Sequence, residues 1–290
     1  MTKHAWVQKC LLGWYAKHRR DLPWRKTHDP YRILVSEIML QQTQVSRVIP
    51  KYLAFVREFP TLQQLAKAPQ GKVITMWSGL GYNRRARNLQ QLAIKIVQDY
   101  AGVLPRTPQA LRELPGIGPY TAAAVACFAF GAPVALVDVN VRRVLGRVMQ
   151  GVNGPTALSE TAMWALAAAL VPKQSVTWNS ALMDFGATVC TARTPKCATC
   201  PLQAKCVAYP EVLNTPPKVA KIKPAFAGSD RYWRGKILLY LQSQPKQSTA
   251  TETLESVFQR LGLPKRRLLV LVERLANEHL LQLHAKTVRL

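Results

Sequence analysis

The chain has 290 residues, in which 40 lysines and arginines face only 15 aspartates and glutamates, so the formal net charge is +25. An electrostatic field of this sign favours a polyanionic partner, either nucleic acid or an anionic membrane surface. We favour nucleic acid and expect no membrane association, because no long uncharged apolar run in the sequence could anchor the chain.

The first twenty residues predict a helix rather than a secretory signal. Their apolar positions are interrupted by Lys9, Gly13 and Lys17, and no small-residue cleavage site follows them. We therefore expect a cytoplasmic protein, associated with the nucleoid if its source is bacterial.

Up to about residue 210, the strong segments predict α-helices. Apolar residues recur at three- and four-residue spacing in residues 31–59, 85–101 and 157–171, which is the spacing of one helix face. Proline and glycine separate these segments, and strand signals are scarce. The sequence therefore predicts a mostly α core built from many short helices.

Two acidic residues lie inside strongly apolar runs, Glu37 in ILVSEIML and Asp138 in PVALVDVNV. A carboxylate in such surroundings is costly unless it is paired or has a catalytic use. For Glu37 we favour catalysis over a structural cap or buried ion pair, because burial raises the pKa of a carboxyl group and suits it to proton donation. For Asp138 the structural alternative is stronger, since this residue can cap the helix that follows.

A proline and two glycines precede an alanine-rich helix in LPGIGPYTAAAV, residues 114–125. Gly116 and Gly118 have no Cβ, so another backbone or a phosphate can approach them closely. The amides of Gly116, Ile117 and Gly118, with the start of the helix near Tyr120, offer donors suited to a DNA phosphate. The alternative is an ordinary tight turn between two helices.

Four cysteines lie within seventeen residues, as Cys190-x6-Cys197-x2-Cys200-x5-Cys206. Cysteines this close share a metal site or form disulfides, and disulfides are not expected in a chain without a secretory signal. Four thiolates can bind zinc, and they can also hold an iron–sulfur cluster.

The C-terminal part of the chain predicts a separate small unit. Residues 210–228 contain several prolines and predict an extended linker. Residues 229–290 are basic and predict three helices and a short terminal hairpin. This order resembles a winged helix, and a plain helical appendage is the alternative.

Six motifs together resemble those of one family. RDLPWR, SEIMLQQTQV, WSGLGY, RARNL, LPGIGPYTA and NVRRVLGR follow in this order between about residues 6 and 210. They resemble the motifs of MutY-type adenine DNA glycosylases, in the helix-hairpin-helix or endonuclease III superfamily. The cysteine spacing resembles the 4Fe–4S loop of the same group. The resemblance implies a helix-hairpin-helix glycosylase fold over residues 1–209, with a six-helix-barrel domain and an iron–sulfur-cluster domain whose loop is 190–206.

The resemblance also implies a monofunctional enzyme that hydrolyses the N-glycosidic bond of adenine mispaired with guanine, 8-oxoguanine or cytosine, after the base is flipped out of the duplex. Glu37 would protonate N7 of adenine and help to position water, and Asp138 would stabilise the positive sugar electrostatically or as a transient nucleophile. Asn140 and Tyr120 would orient this network. Bifunctional relatives carry a Schiff-base lysine at the position of Tyr120, so we expect no efficient strand cleavage.

Six further residues match family positions that contact the adenine or the duplex. The adenine pocket would contain Arg20, Trp24, Arg25 and Asp184, and the side chains wedged into the duplex near the opposing base would be Gln42 and Tyr82. The alternatives are solvated surface charge for Arg20 and Arg25, a core position for Trp24 and a buried tyrosine for Tyr82.

Three departures from the family bear on the substrate. Asn83 follows Tyr82 where the family has a second tyrosine, and Val139 stands where glycine is common. Typical members continue into a Nudix-like domain that reads 8-oxoguanine, whereas only about sixty residues follow the predicted linker here.

Two alternatives to the adenine enzyme therefore stay open. One is a glycosylase of the same superfamily that acts on thymine or uracil opposite guanine, and the other is a non-catalytic protein that binds DNA lesions. In each case the expected partner is double-stranded DNA with a mismatch or an oxidative lesion, and the family suggests a monomer.

Overall fold

A computed structural model of the chain describes residues 1–152, 158–214 and 225–290. Helices dominate this described part, which confirms the mostly α prediction. The helices are α1 (Lys3–His18), α2 (Pro30–Leu40), α3 (Val45–Glu58), α4 (Leu62–Lys67), α5 (Gln70–Trp77), α6 (Arg84–Asp99), α7 (Pro108–Arg112), α8 (Pro119–Phe130), α9 (Val139–Gln150), α10 (Glu160–Ala169), α11 (Ser175–Thr188), α12 (Glu211–Asn214), α13 (Asp230–Ser243), α14 (Thr251–Arg260) and α15 (Lys265–Asn277). The strands are β1 (Ser248–Ala250), β2 (Gln282–His284) and β3 (Thr287–Arg289).

Local sequence signals begin and end many of these helices. The side chains of Thr107, Ser159 and Ser229 accept hydrogen bonds from backbone amides in the first turns of α7, α10 and α13. Such caps satisfy donors that have no partner inside the helix. Gly131 and Gly151 end α8 and α9 in the left-handed conformation, with φ of 69° and 70°, which glycine adopts without steric cost.

The described residues form two compact units, of which the first comprises Met1–Leu34, Pro105–Glu113 and the described part of Ile117–Val219. In this unit α11 packs against both α1 and α9. Its core includes the fully buried rings of Trp178 and Phe185. This packing places the internal glycine of α11, Gly186, against α9.

The second unit comprises Val35–Leu104, Leu114–Gly116 and the described part of Ala220–Leu290. Within it α6 packs on α4 and α5. The fully buried side chains of Phe55 and Trp77 meet edge to face, with ring centroids 5.8 Å apart.

The C-terminal residues of the second unit combine three helices with a small sheet. The strands form an antiparallel sheet in the order β1–β3–β2, with Val288 opposite both Thr249 and Leu283. Val288 is fully buried and packs in one core with Trp233 and Phe258. The three helices and the terminal hairpin were predicted, and β1 completes the arrangement of a winged helix.

Part of the predicted linker has regular structure. Residues 211–214, which we expected to be extended, form the single turn of α12, with Glu211 in a position that favours a helix N-terminus. Residues 215–224 of the predicted linker lie outside the described residues. Across the described part of the chain, the helices are too short or too polar to cross a bilayer.

Candidate active site and DNA-binding surfaces

Glu37 lies in the interior of α2. Asp29 accepts a hydrogen bond from the amide of Tyr31 (2.9 Å) and so starts this helix. Glu37 is only 4% exposed, and the buried residues around it in the sequence are apolar apart from Ser36. Because Glu37 is two turns from the start of α2, it does not cap the helix. Its raised pKa and catalytic use stay predictions.

Gln42 and Tyr82 occupy strained, solvent-exposed turns. Gln42 follows α2 with a φ of 53°, and Tyr82 precedes α6 with a φ of 47° and 45% of its surface exposed. Left-handed backbone is uncommon for residues other than glycine and is found where the surrounding structure enforces it. The buried-tyrosine alternative for Tyr82 is therefore wrong, and both side chains are presented to solvent.

Arg85, on the first turn of α6, enforces both turns. Its guanidinium donates hydrogen bonds to groups at the end of α2, in the turn that follows and in the turn before α6. The acceptors are the carbonyl oxygens of Ile38, Met39, Gln41, Leu80 and Gly81 and the hydroxyl of Thr43, at 2.6–3.3 Å. A single side chain thus holds the Gln42 turn and the Tyr82 turn together.

The charge of Arg85 is held without a carboxylate partner among the described residues. The guanidinium carbon lies 5.4 Å from the ring centroid of Trp77 and 5.6 Å from that of Tyr82. Burial lowers the pKa of Arg85 to about 10, and its Nε has no hydrogen-bond partner. The group therefore stays protonated at neutral pH and is stabilised by carbonyl dipoles and aromatic faces.

The hairpin between α7 and α8 uses its two glycines differently. Gly116 has a φ of +78°, and a Cβ there would lie 3.0 Å from the Cβ of Asn88. Gly118 caps α8 in extended backbone, Pro119 opens the helix, and a Cβ on Gly118 would meet no atom within 4 Å. The first glycine is required by the fold, and the second leaves an open helix N-terminus of the kind that binds phosphate. Ile117 is buried between them.

Asp138 is the N-cap of α9, as the structural alternative predicted. Its Oδ1 accepts hydrogen bonds from the amides of Asn140 (2.8 Å) and Val141 (2.7 Å). Its Oδ2 accepts a third from the side-chain amide of Asn140 (2.9 Å). Capping and catalysis are compatible, because three donors fix the carboxylate in one orientation.

Arg143 links Asn140 to the cysteine loop through hydrogen bonds. Arg143 donates hydrogen bonds to the Asn140 Oδ1 (2.7 Å), the Gly186 carbonyl (2.6 Å) and the Cys190 carbonyl (2.7 Å). Burial lowers the pKa of Arg143. A Cβ on Gly186 would lie 2.6 Å from the Asn140 Cβ, so glycine in α11 is what allows Asn140 to sit there.

Tyr120 lies in the first turn of α8 and is half-buried. Its hydroxyl lies 3.4 Å from the sulfur of Met183 in α11. The structure thus shows a packed phenol at the position for which we predicted an orienting role.

Asp184 binds two predicted pocket residues in a buried ion cluster. Its carboxylate is fully buried and pairs with Arg20 (2.6 Å) and with Arg25 (2.7 Å), whose side chains are 30% and 18% exposed. Burial would raise the pKa of Asp184, but the hydrogen bonds and charges of Arg25 and Arg20 outweigh it and lower the pKa. Trp24 is a buried core residue. The surface-charge alternative for the two arginines is therefore wrong.

The four cysteines of the loop share one cavity. None of them is in a disulfide. The cavity walls also include Phe185, Val189 and Val212, and the cysteines that line it are Cys190, Cys197, Cys200 and Cys206. A donor set made only of thiols, gathered around an apolar hollow, fits a group that is held by four thiolates. Within the described residues, no three His, Cys, Asp or Glu side chains converge closely enough for a single metal ion.

The electrostatics of this cavity depend on burial and on one arginine. Burial raises the pKa of Cys200 to about 11 and also raises those of Cys197 and Cys206. Arg147 is buried beside them, 3.5 Å from the Cys190 sulfur, and donates to the Thr191 carbonyl (2.7 Å). Thiolates in this cavity therefore need the positive charge of a bound group, with Arg147 in support.

Four supporting residues were not among the predicted site residues. They are Arg85, Arg143, Arg147 and Gly186, each of which fixes a predicted residue or loop by the contacts above. For three of the four, the sequence contains a feature that could have pointed to a structural role. Gly186 interrupts an apolar helical segment, where an internal glycine usually has a packing reason, and Arg143 and Arg147 put like charges one turn apart on α9, which is unfavourable unless both are bound.

Comparison with known proteins identifies the family to which the chain belongs. The model of the HhH-GPD superfamily of base excision DNA repair proteins matches residues 35–166. An adenine DNA glycosylase of Mycolicibacterium smegmatis is 44% identical over 248 residues, which cover 83% of this chain and 82% of the relative. A thymine/uracil-DNA glycosylase of Methanothermobacter thermautotrophicus is 38% identical over 201 residues, covering 69% and 91% of the two chains.

A solved structure of a thermostable thymine-DNA glycosylase superposes with a TM-score of 0.68 at 37% identity, covering 72% of this chain and 97% of the other. The chain belongs to the HhH-GPD superfamily of base excision DNA repair proteins. These relatives are named for different bases but are all DNA glycosylases, and this chain is an enzyme of that class.

Proposed function

We propose that this enzyme is a monofunctional glycosylase that removes adenine mispaired with guanine, 8-oxoguanine or cytosine in duplex DNA. The observation that carries the choice of adenine is the 44% identity to the mycobacterial adenine enzyme across more than four-fifths of both chains. The alignment covers nearly the same share of each chain, so the similarity is not confined to one part of either.

The proposed reaction breaks the bond between C1′ of the sugar and N9 of adenine. Glu37 donates its proton to N7, so that adenine leaves with the bonding electron pair as a neutral base. The sugar develops positive charge, which the carboxylate of Asp138 stabilises because three hydrogen bonds hold it in a fixed orientation. Water then attacks C1′ and returns a proton to Glu37.

Tyr120 supports the monofunctional part of the proposal. A tyrosine has no amine and forms no imine with the sugar, so the enzyme lacks at this position the covalent step that leads to strand cleavage. The contact between the Tyr120 hydroxyl and the Met183 sulfur keeps the ring in place. Cleavage of the product strand should therefore require added alkali.

The Asp184 cluster suggests how the adenine pocket works. Asp184 is inaccessible, since its surface is fully buried and its oxygens are engaged by two guanidinium groups. We therefore assign it a positioning role: it holds Arg20 and Arg25, whose partly exposed side chains would contact the base. Trp24, between them in the sequence, would provide apolar packing.

The DNA would be bound by the hairpin at Gly116, Ile117 and Gly118 and by Gln42 and Tyr82. The open N-terminus of α8 offers amides to a phosphate, and the two strained turns present side chains to the duplex. The net charge of +25 makes the affinity strongly dependent on salt. Such an enzyme acts in the compartment that holds the DNA, so we expect a cytoplasmic protein that is associated with the nucleoid if its source is bacterial.

The cysteine cavity would hold a 4Fe–4S cluster through Cys190, Cys197, Cys200 and Cys206. When bound, the cluster supplies four metal–thiolate bonds that close the loop, and we assign it no step in the reaction. Arg147 and Arg143 then transmit the position of the loop to α9 through the Thr191 and Cys190 carbonyls. Zinc is the alternative, and iron and sulfide analysis of the purified protein distinguishes the two.

A second candidate is a glycosylase for thymine or uracil opposite guanine. The observation that favours it is the thymine/uracil-DNA glycosylase that aligns over 91% of its own length. A non-catalytic lesion-binding protein is not favoured, because relatives that align over most of this chain are named DNA glycosylases.

The test is single-turnover excision with duplexes that contain adenine opposite 8-oxoguanine, guanine or cytosine, and thymine or uracil opposite guanine. Alkali-dependent cleavage at adenine is expected. Glu37→Gln should slow excision at least about a hundredfold and change mismatch affinity only a few-fold. The matched control is Glu58→Gln, which removes an acid from an exposed ion pair with Lys72. Cleavage only at thymine or uracil would contradict the adenine assignment and support the second candidate function.

A further inference from the structure

Arg231, on the first turn of α13, lies against the exposed Tyr82. Its guanidinium donates a hydrogen bond to the Tyr82 hydroxyl (3.0 Å), and its Cζ lies 5.4 Å from the centroid of the Tyr82 ring. The same Cζ lies 4.9 Å from the centroid of the Phe226 ring. The C-terminal residues therefore place a cation directly beside the side chain that we propose to enter the duplex.

The surroundings of Arg231 differ from those of three other arginines in the C-terminal helices. Arg234 pairs with Glu278, and Arg267 and Arg274 both pair with Asp230. Arg231 is exposed and has two aromatic partners, with no carboxylate partner among the described residues. Its charge is thus not neutralised by a carboxylate of the described residues, whereas its contacts with two rings restrict where its donors point.

The element that carries Arg231 is well supported. Ser229 caps α13 through the amide of Tyr232 (3.2 Å), and the helix buries Trp233 and Ile237 in the C-terminal core. Tyr82 is held in turn by Arg85. A donor on a packed helix against a fixed ring is preorganised, which is what specific recognition of a base requires.

We propose that Arg231 is a specificity-determining residue that donates hydrogen bonds to the base opposite the excised adenine. This rests on the proposed function, because it takes Tyr82 to be the side chain wedged beside that base. Guanine offers the acceptors O6 and N7, which match two donors of one guanidinium. 8-Oxoguanine carries a proton on N7, so it offers the carbonyl oxygens O6 and O8 instead, each of which accepts from a single donor of the guanidinium. Cytosine presents an amino donor in the major groove, which a guanidinium does not bind.

The test compares Arg231→Gln and Arg231→Lys with Lys236→Gln in the full-length protein. Lys236 lies on the same helix and is exposed against the Tyr232 ring, so its substitution removes an equal charge away from Tyr82. Single-turnover rates and affinities are measured for adenine opposite 8-oxoguanine, guanine and cytosine. A thermal melt of each variant establishes that it is folded.

Both Arg231 variants should lower the preference for guanine over cytosine by about tenfold, since a bidentate contact is worth that much discrimination. The preference for 8-oxoguanine over cytosine should also fall, but by less, because N7–H of that base cannot accept the second hydrogen bond. The lysine variant should keep the salt dependence of affinity, because it keeps the positive charge. It should still lose the preference, because lysine lacks the two parallel donors of a guanidinium. Lys236→Gln should weaken all three duplexes equally.

Two results would overturn this inference while leaving the adenine assignment intact. Equal losses on all three duplexes, with a shallower salt slope, would make Arg231 a phosphate contact. Unchanged rates and affinities would make it a packing residue. Failure of the wild-type enzyme to excise adenine from any of the three would instead overturn the proposed function together with this inference.

Discussion

Two aspartates of this protein each bind two arginines, in very different surroundings. Asp184 is fully buried beside Arg20 and Arg25. Asp230, at the start of α13, binds Arg267 and Arg274, and its side chain is 48% exposed. The composition of the two clusters is the same, one acid and two bases, so the difference between them isolates the effect of burial.

Burial decides what the two clusters contribute. An exposed ion pair is screened by water and contributes little to stability. A buried carboxylate has lost its hydration, and the surrounding structure depends on its partners to compensate. Asp184 therefore controls the position of two pocket residues, whereas Asp230 only ties α13 to the side of α15. The experiments below test this contrast.

The largest effect is expected for Asp184→Asn. The amide retains one acceptor but no charge, and it leaves two arginines close together without compensation. We expect a loss of about 3 kcal/mol in the free energy of unfolding, measured with urea. Excision should also fall, because Arg20 and Arg25 are no longer held. Wild-type stability in this variant would mean that water compensates the arginines and that the cluster is effectively exposed.

The second-largest effect is expected for Arg85→Lys. This substitution tests a buried cation that has carbonyl partners instead of a carboxylate. Lysine keeps the charge but has three donors on a single nitrogen, and it cannot span acceptors on both turns. We expect a loss of about 2 kcal/mol in the free energy of unfolding. Amides near Gln42 and Tyr82 should exchange hydrogen faster than in the wild type. Unchanged exchange there would show that the turns hold themselves without Arg85.

Acid should reduce the contribution of the Asp184 cluster before the fold is lost. The pKa of Asp184 is lowered in the folded state, so the cluster stabilises the protein fully above the ordinary range of an aspartate, about 4. As the pH falls below that range, the unfolded chain takes up a proton first, and this stability is lost. The stability gap between wild type and Asp184→Asn should therefore shrink with falling pH. A gap independent of pH would contradict the assignment.

The smallest effect is expected for Asp230→Asn. Both of its arginines remain hydrated when the acid is removed, so the free energy of unfolding should change by less than about 1 kcal/mol. High salt should reduce even this difference. A loss as large as that of Asp184→Asn would show that exposure does not distinguish the two clusters.

Much of the fold was predictable from local patterns. Helical periodicity predicted the mostly α architecture, and the cap on α9 was read from an aspartate before a helical segment. The spacing of the four cysteines predicted a shared site, and they line one cavity. These features depend on residues close together in the chain, where the sequence pattern and the geometry are directly linked.

The support of the site was not predictable in the same way. Arg85 binds groups more than forty positions away, and Gly186 matters only because Asn140 approaches it from another helix. The positive φ angles of Gln42 and Tyr82 carry no local sequence signal, since neither residue is glycine. Each of these contacts forms only when separate helices pack.

The sequence by itself determined the charge of the protein, its helical character, the cysteine loop and the residues of the hairpin, because each follows from composition or from short-range spacing. Only the tertiary structure decided that Asp184 is buried between Arg20 and Arg25 while Asp230 stays hydrated. It alone placed Arg231 against Tyr82, 149 positions away in the chain. The physical reason is that burial and long-range contact depend on how elements pack, and packing is a property of the folded chain as a whole.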